Sequence, residues 1–272
     1  MRRANRFFIF QECLGRCSSK LTISAFLEIV YHWVHEQPLH SAAKTTGHST
    51  KTICVWYNLC REVTQREFEK REKMGRRGNA VQIDECLLQG KRKSNKGRYR
   101  LSDHPYEKIE NSTDENLSLR NYGSRLSGGW IFGLVERIDE HRRDARFFQV
   151  SKRDRSTLEP IILHEVETGA TVFSDCWLAY TRLNDLGFIH STVNHSENFV
   201  DPNDQTNTQM IEAIWTRLRL KIVKQMKTSP LLESHLAEHW YRLYYKSQNL
   251  FDVFLGHIKD NYSNNILQMA NH

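Results

Sequence analysis

Two short apolar runs in this chain each lead into an aspartate. One holds Val81-Gln82-Ile83-Asp84-Glu85; the other is Thr171-Val172-Phe173-Ser174-Asp175-Cys176-Trp177. Runs of this length, rich in β-branched and aromatic residues, read as strands within a sheet. A carboxylate at the end of a core strand is costly unless a cation or a hydrogen-bond donor meets it. A third acid, Glu212, lies on a helical pattern whose apolar stripe is Ile211, Ile214, Trp215, Leu218 and Ile222. Three such acids in a basic chain point to a divalent-cation site acting on a nucleic-acid phosphate, since hard oxygen ligands select Mg²⁺ or Mn²⁺.

The segments between the acids set the architecture. Strands are expected over residues 80–88, 129–135, 145–151, 170–174 and 189–193, with helices over 155–167, 176–186 and 207–226. A strand meander followed by alternating helix and strand implies an α/β domain around a mixed sheet. Residues 102–127 are polar and poor in large aliphatics, and read as an inserted loop. Aromatic helices within 231–258 are expected to cover the sheet, with Cys176 and Trp177 packed beneath the acids.

Ahead of this domain the pattern is helical. Phe26, Leu27, Val30, Tyr31 and Val34 share a helical spacing, with Thr22 or Ser24 as its cap. A second helix is expected over 39–46, ending at Gly47-His48. A third opens at Ser49 and carries Ile53, Val55, Trp56, Leu59 and Val63. Helix, small residue (Ala43), glycine turn and helix form the pattern of a helix-turn-helix. In that arrangement Ser49, Thr50 and Lys51 face a DNA groove. Gly75-Arg76-Arg77-Gly78-Asn79 reads as the linker to the next domain. The expected organisation is a tail over 1–20, the helical module over 21–74, the α/β domain over 80–262 and a tail over 263–272.

Net charge is +7, and residues 61–100 hold 13 Lys/Arg against 6 Asp/Glu. Lys91, Arg92, Lys93 and Arg98 follow closely on the first aspartate and are read as DNA contacts. No run approaches the ~18 apolar residues of a membrane span. Six scattered cysteines show no disulfide framework, which favours a reducing, intracellular compartment. Cys13 and Cys17 lack a second ligand pair, so no zinc is expected.

An acid on the first strand, one after the fourth strand and one on a later helix converge at one sheet edge in ribonuclease H-like nucleotidyl-transferases. The words around them also carry a family resemblance. Val81–Glu85 followed by Gly90-Lys91-Arg92-Lys93 and Lys96-Gly97-Arg98 resembles the first catalytic block of the Merlin superfamily of DNA transposases and of similar bacterial insertion-sequence transposases. Gly128-Gly129-Trp130-Ile131-Phe132-Gly133 resembles their second strand, and Ser174-Asp175-Cys176-Trp177-Leu178-Ala179-Tyr180 their second block. Residues 193–202 and 208–215 resemble the approach to the third acid and the third block.

The resemblance implies a ribonuclease H-like mixed sheet flanked by helices, preceded by a small all-α helix-turn-helix module. It implies a DDE triad of Asp84, Asp175 and Glu212 that binds Mg²⁺, with Arg219 where the family has a lysine. Arg keeps the charge and changes its geometry. Glu85 and His195 are accessory candidates. The implied activity is cutting transposon ends and joining them to target DNA, as a homo-oligomer on double-stranded DNA, in the nucleus if the host is eukaryotic. The family's N-terminal zinc ribbon is reduced here to Cys13 and Cys17. That departure leaves a second expectation: a domesticated or decayed DNA-binding protein without catalysis.

Overall fold

A computed structural model describes residues 21–88, 130–193, 207–222 and 230–269. The inserted loop, the Cys13–Cys17 pair and the 263–272 tail beyond Met269 lie outside these residues. The chain divides into two compact units. One is made of Glu72–Leu236, the other of Met1–Arg71 together with Ala237–His272.

The first unit is built on a five-stranded sheet: β1 (Val81–Leu87), β2 (Trp130–Arg137), β3 (Arg143–Val150), β4 (Thr171–Asp175) and β5 (Ile189–Val193). Their order is β3-β2-β1-β4-β5. β2 pairs antiparallel with β1 and β3, while β1–β4 and β4–β5 are parallel. Only β2 therefore runs against the rest, which is the ribonuclease H-like mixed sheet. Helix α4 (Arg155–Glu165) packs on one face through Leu158 and Ile162, against Val81, Ile83, Phe132 and Leu134. Helix α5 (Gln209–Lys221) lies along β1 and β2 and buries Ile211, Ile214, Trp215 and Leu218.

Where a helix is expected over 176–186, the chain makes a short 3-10 turn (Leu178–Tyr180) and then runs through turns to Gly187. The backbone closes by three-residue steps, Tyr180 N–H to Trp177 O and Leu183 N–H to Tyr180 O, both at 3.1 Å. Side chains compete with a helical ladder here. Thr181 Oγ1 donates to Leu178 O at 3.1 Å, and Asn184 Oδ1 accepts from the His190 amide at 2.9 Å.

One charge cluster is buried in this unit. The Arg146 guanidinium donates to Asp144 at 2.7 Å and to Glu165 at 2.6 Å, and also reaches the Glu72 carbonyl. Three charges taken out of water are tolerable because each faces its opposite within hydrogen-bond reach.

The second unit is helical, with α1 (Ile23–Val34), α2 (Leu39–Thr46) and α3 (Thr50–Glu69). Thr22 caps α1 by accepting the Ala25 amide at 3.1 Å, and Ser49 caps α3 through the Thr52 amide at 3.1 Å. Gly47 closes α2 at φ +71°, a left-handed conformation that favours glycine. The close-packing residue of α2 is Ala42, fully buried, rather than Ala43. On α1 the core stripe runs through Ile29 and Trp33, leaving Tyr31 exposed.

The aromatic C-terminal region corrects the expectation that it covers the sheet. From Ala237 onward, α6 (Leu232–Tyr244) and α7 (Leu250–Met269) complete the helical core instead. Trp240 packs edge-on to Phe68 with centroids 5.1 Å apart, and Phe254 stacks on Trp33 at 4.6 Å. Arg242 donates to the Trp33 and Val34 carbonyls at 2.8 Å each, holding the end of α1. An amphipathic helix announces an apolar stripe but not which surface will receive it. Among the described residues, no helix is long and apolar enough to cross a membrane.

Candidate active site

Alternate residues of a strand share a face, so Gln82, Asp84 and Cys86 all point to one side of β1. Each meets α5. Gln82 Oε1 accepts the amides of Met210 and Ile211 at 3.1 Å, capping a helix whose own N-cap residue, Thr208, makes no side-chain cap bond. Asp84 Oδ2 accepts the Trp215 indole N–H at 2.8 Å. Cys86 Sγ accepts from Arg219 Nε at 3.2 Å. The spacings are commensurate. Two strand residues advance roughly 6.6 Å and one four-residue helical step about 6 Å, so Ile211, Trp215 and Arg219 keep pace with Gln82, Asp84 and Cys86.

Gly133 makes this approach feasible. It stands opposite Asp84 in the β1–β2 ladder. A Cβ there would lie 2.5 Å from Trp215 Cη2, so only glycine lets the indole reach the aspartate.

Asp175 closes β4, the parallel neighbour of β1. The ladder pairs Val81 with Val172 and Gln82 with Phe173, and Asp84 and Asp175 each lie two residues beyond the last pair. The second oxygen of Asp84 accepts the Glu85 amide at 2.8 Å, and Asp175 Oδ1 accepts the Trp177 amide at 3.0 Å. Burial raises Asp84 above the usual carboxylate range; its hydrogen bonds oppose this, and the charges of Asp175 and Glu212 add to it. Asp175 and Glu212 are thus each within electrostatic reach of Asp84. Glu212 sits exposed in the first turn of α5 and accepts from the Thr208 hydroxyl at 3.1 Å.

These donors suit Mg²⁺ or Mn²⁺ chemically: all are carboxylate oxygens, and mutual repulsion is what a divalent cation relieves. Among the described residues, however, no three or more His, Cys, Asp or Glu side chains gather closely enough to hold a metal ion.

Glu85 points to the opposite face of β1. It takes the Tyr180 hydroxyl as donor and lies 4.0 Å from Arg153. Burial pushes it up to about 7, with the charges of Asp84 and Asp175 adding to the rise. Cys176 and Trp177 do not pack beneath the acids; both are exposed just past Asp175. Trp177 donates its indole N–H to Arg153 O at 3.1 Å.

Of the remaining sequence candidates, Ser49, Thr50 and Lys51 belong to the helical unit, where the Ser49 hydroxyl is engaged in capping α3. Lys91, Arg92, Lys93, Arg98 and His195 lie outside the described residues. The sequence reading assigned no part in the site to Gln82, Gly133 or Arg153, and placed Trp215 only in the helix core. One signal was available for the β1 face: polar or sulfur-bearing residues at every second position, Gln82, Asp84 and Cys86.

The family profile of the ISXO2-like transposase domain matches residues 77–243. No match is found among curated proteins. Among solved structures, the Mos1 strand transfer complex is similar over 91% of this chain and 80% of that chain, at 8% identity and a TM-score of 0.24.

Proposed function

The chain belongs to the ISXO2-like transposase family, and from that premise we propose that it cuts and joins DNA phosphodiesters at Asp84, Asp175 and Glu212 with bound Mg²⁺ or Mn²⁺. The observation that supports the reading is that Asp84 on β1, Asp175 at the end of the neighbouring parallel strand β4 and Glu212 on α5 interact electrostatically at Asp84, under a helix tied to it through Trp215. Asp84 and Asp175 would hold the cation, with Glu212 completing its ligands. When bound, such ions activate the attacking oxygen and neutralise charge on the leaving one.

The rest falls to the chain's own side chains. The Trp215 N–H fixes one carboxylate oxygen of Asp84, and the Glu85 amide fixes the other. Gln82 holds the first turn of α5, and with it the placement of Glu212. Arg219, steered by Cys86, supplies positive charge for a phosphate. Ser49, Thr50 and Lys51 at the start of α3 are the proposed groove contacts, and Lys91, Arg92, Lys93 and Arg98 the proposed phosphate contacts. The proposed substrates are transposon ends and target DNA, bound by a homo-oligomer, and within the family the blocks point to the Merlin branch.

Nicking of supercoiled plasmid tests the chemistry. Wild type is expected to nick with Mg²⁺ or Mn²⁺ and to stop on chelation, and Asp84→Ala is expected to be inactive. Equal nicking by both proteins refutes the assignment. A second reading, a DNA-binding protein without catalysis, is favoured by the absence of three gathered metal donors among the described residues. It expects salt-sensitive DNA binding and no divalent-dependent cleavage.

A further inference from the structure

Trp177 follows Asp175 by two residues and is 39% exposed, and Leu178 beside it is 74% exposed. Large apolar side chains do not usually project side by side at a polar edge without something to meet. We propose that Trp177 and Leu178 form a platform on which an unpaired nucleobase stacks, from the DNA strand whose phosphate lies at Asp175. The inference rests on the proposed DNA chemistry and adds the state of the DNA that the site takes: a strand with a base pair opened.

The platform is held rigidly. The Trp177 backbone amide donates to Asp175 Oδ1 at 3.0 Å, so the backbone that carries the ring is tied to the acid. Its indole N–H donates to Arg153 O at 3.1 Å. The Arg153 guanidinium lies 4.8 Å from the Trp177 ring and 3.8 Å from the Trp130 ring. Arg155 donates to Leu178 O at 3.4 Å, and Tyr180, buried, is anchored on Glu85.

With both N–H groups of Trp177 already engaged, the residue has only its π surface to offer. A base within a duplex hides its faces in the stack, so the ring can meet only a base that has left it. Arg153, against the Trp177 ring, and Arg155, on the Leu178 carbonyl, supply positive charge beside the platform, complementary to a nucleic-acid backbone rather than to an apolar protein surface.

Fluorescence anisotropy with two labelled forked duplexes tests this. One carries single-stranded thymines, and the other carries abasic sites at the same positions. Wild type is expected to bind the thymine fork about 5- to 150-fold more tightly, the equivalent of about 1–3 kcal/mol for a stacked base. Trp177→Ala is expected to bring that ratio near one, and Trp177→Phe to restore part of it, with melting curves confirming that both variants fold. A wild-type ratio near one, or a ratio unchanged in Trp177→Ala, overturns the proposal. Divalent-dependent nicking with a ratio near one removes the platform and leaves the chemistry standing. A high ratio without nicking does the reverse, and no binding to either fork removes both.

Discussion

The Trp215 indole N–H donates to Asp84 Oδ2 at 2.8 Å, tying helix α5 to the middle of strand β1. A residue that belongs to the helix core thereby orients the carboxylate at the centre of the proposed site. Trp215→Phe keeps an aromatic ring and removes the donor. Loss of this bond is expected to lower stability by about 1–3 kcal/mol. Losing a group that orients a metal-binding carboxylate is expected to slow nicking roughly 10- to 100-fold. Nicking rates and melting temperatures check both, and an unchanged rate would show that Asp84 needs no such orientation.

Gly133 makes room for that ring. In Gly133→Ala the new methyl would stand 2.5 and 2.6 Å from two carbons of the indole. Overpacking of this kind costs about 1–3 kcal/mol. Phenylalanine at 215 lacks the second ring, so the double variant Gly133→Ala/Trp215→Phe is expected to lose less than the sum of the singles. Additive losses in urea unfolding would mean that the clash is relieved elsewhere.

Arg146 stands between Asp144 and Glu165, and all three are buried. Arg146→Ala removes the guanidinium that both buried carboxylates share, an expected loss of about 3–5 kcal/mol. Arg146→Lys is expected to rescue little, because one ammonium cannot reproduce the two-sided guanidinium contact. Denaturant midpoints of both variants measure this, and a wild-type midpoint for Arg146→Ala would refute it.

His257 gives the helical unit a dependence on pH. Its Nδ1 meets the Tyr241 hydroxyl at 2.6 Å, and its Nε2 lies 3.5 Å from Glu67. Burial lowers its pKa first; Lys70 works in the same direction, while Glu67 and Asp260 oppose it. A histidine depressed in the folded state takes its proton more readily when unfolded. Its contribution to stability is therefore present above about pH 6.5 and is lost as pH falls from there through the folded pKa. Melting temperature is expected to drop more for wild type than for His257→Gln between about pH 7 and about pH 5.5. Parallel drops would assign the dependence to other groups.

Much of the α/β unit was legible in one dimension, because strand and helix leave different periods. The five expected strands fall on β1–β5 within a few residues, and the stripe from Ile211 to Ile222 is buried as read. The segment 176–186 misled because Leu178, Ala179, Tyr180 and Leu183 imitate a helical stripe. The bonds of Thr181 and Asn184 to nearby backbone settled its turns.

The sequence by itself determined the local facts: which segments are strands, that one of them ends on Asp175, and that Glu212 rides the edge of an amphipathic helix; Asp84, expected at a strand end, lies within β1, which continues to Leu87. Tertiary structure decided who meets whom. It put Trp215 on Asp84 across Gly133, sent Glu85 to the opposite face, and gave the aromatic C-terminal helices to α1–α3 rather than to the sheet. The physical reason is that period and propensity act over a few residues, whereas a packing partner is chosen by shape and hydrogen-bond complementarity between segments far apart in the chain.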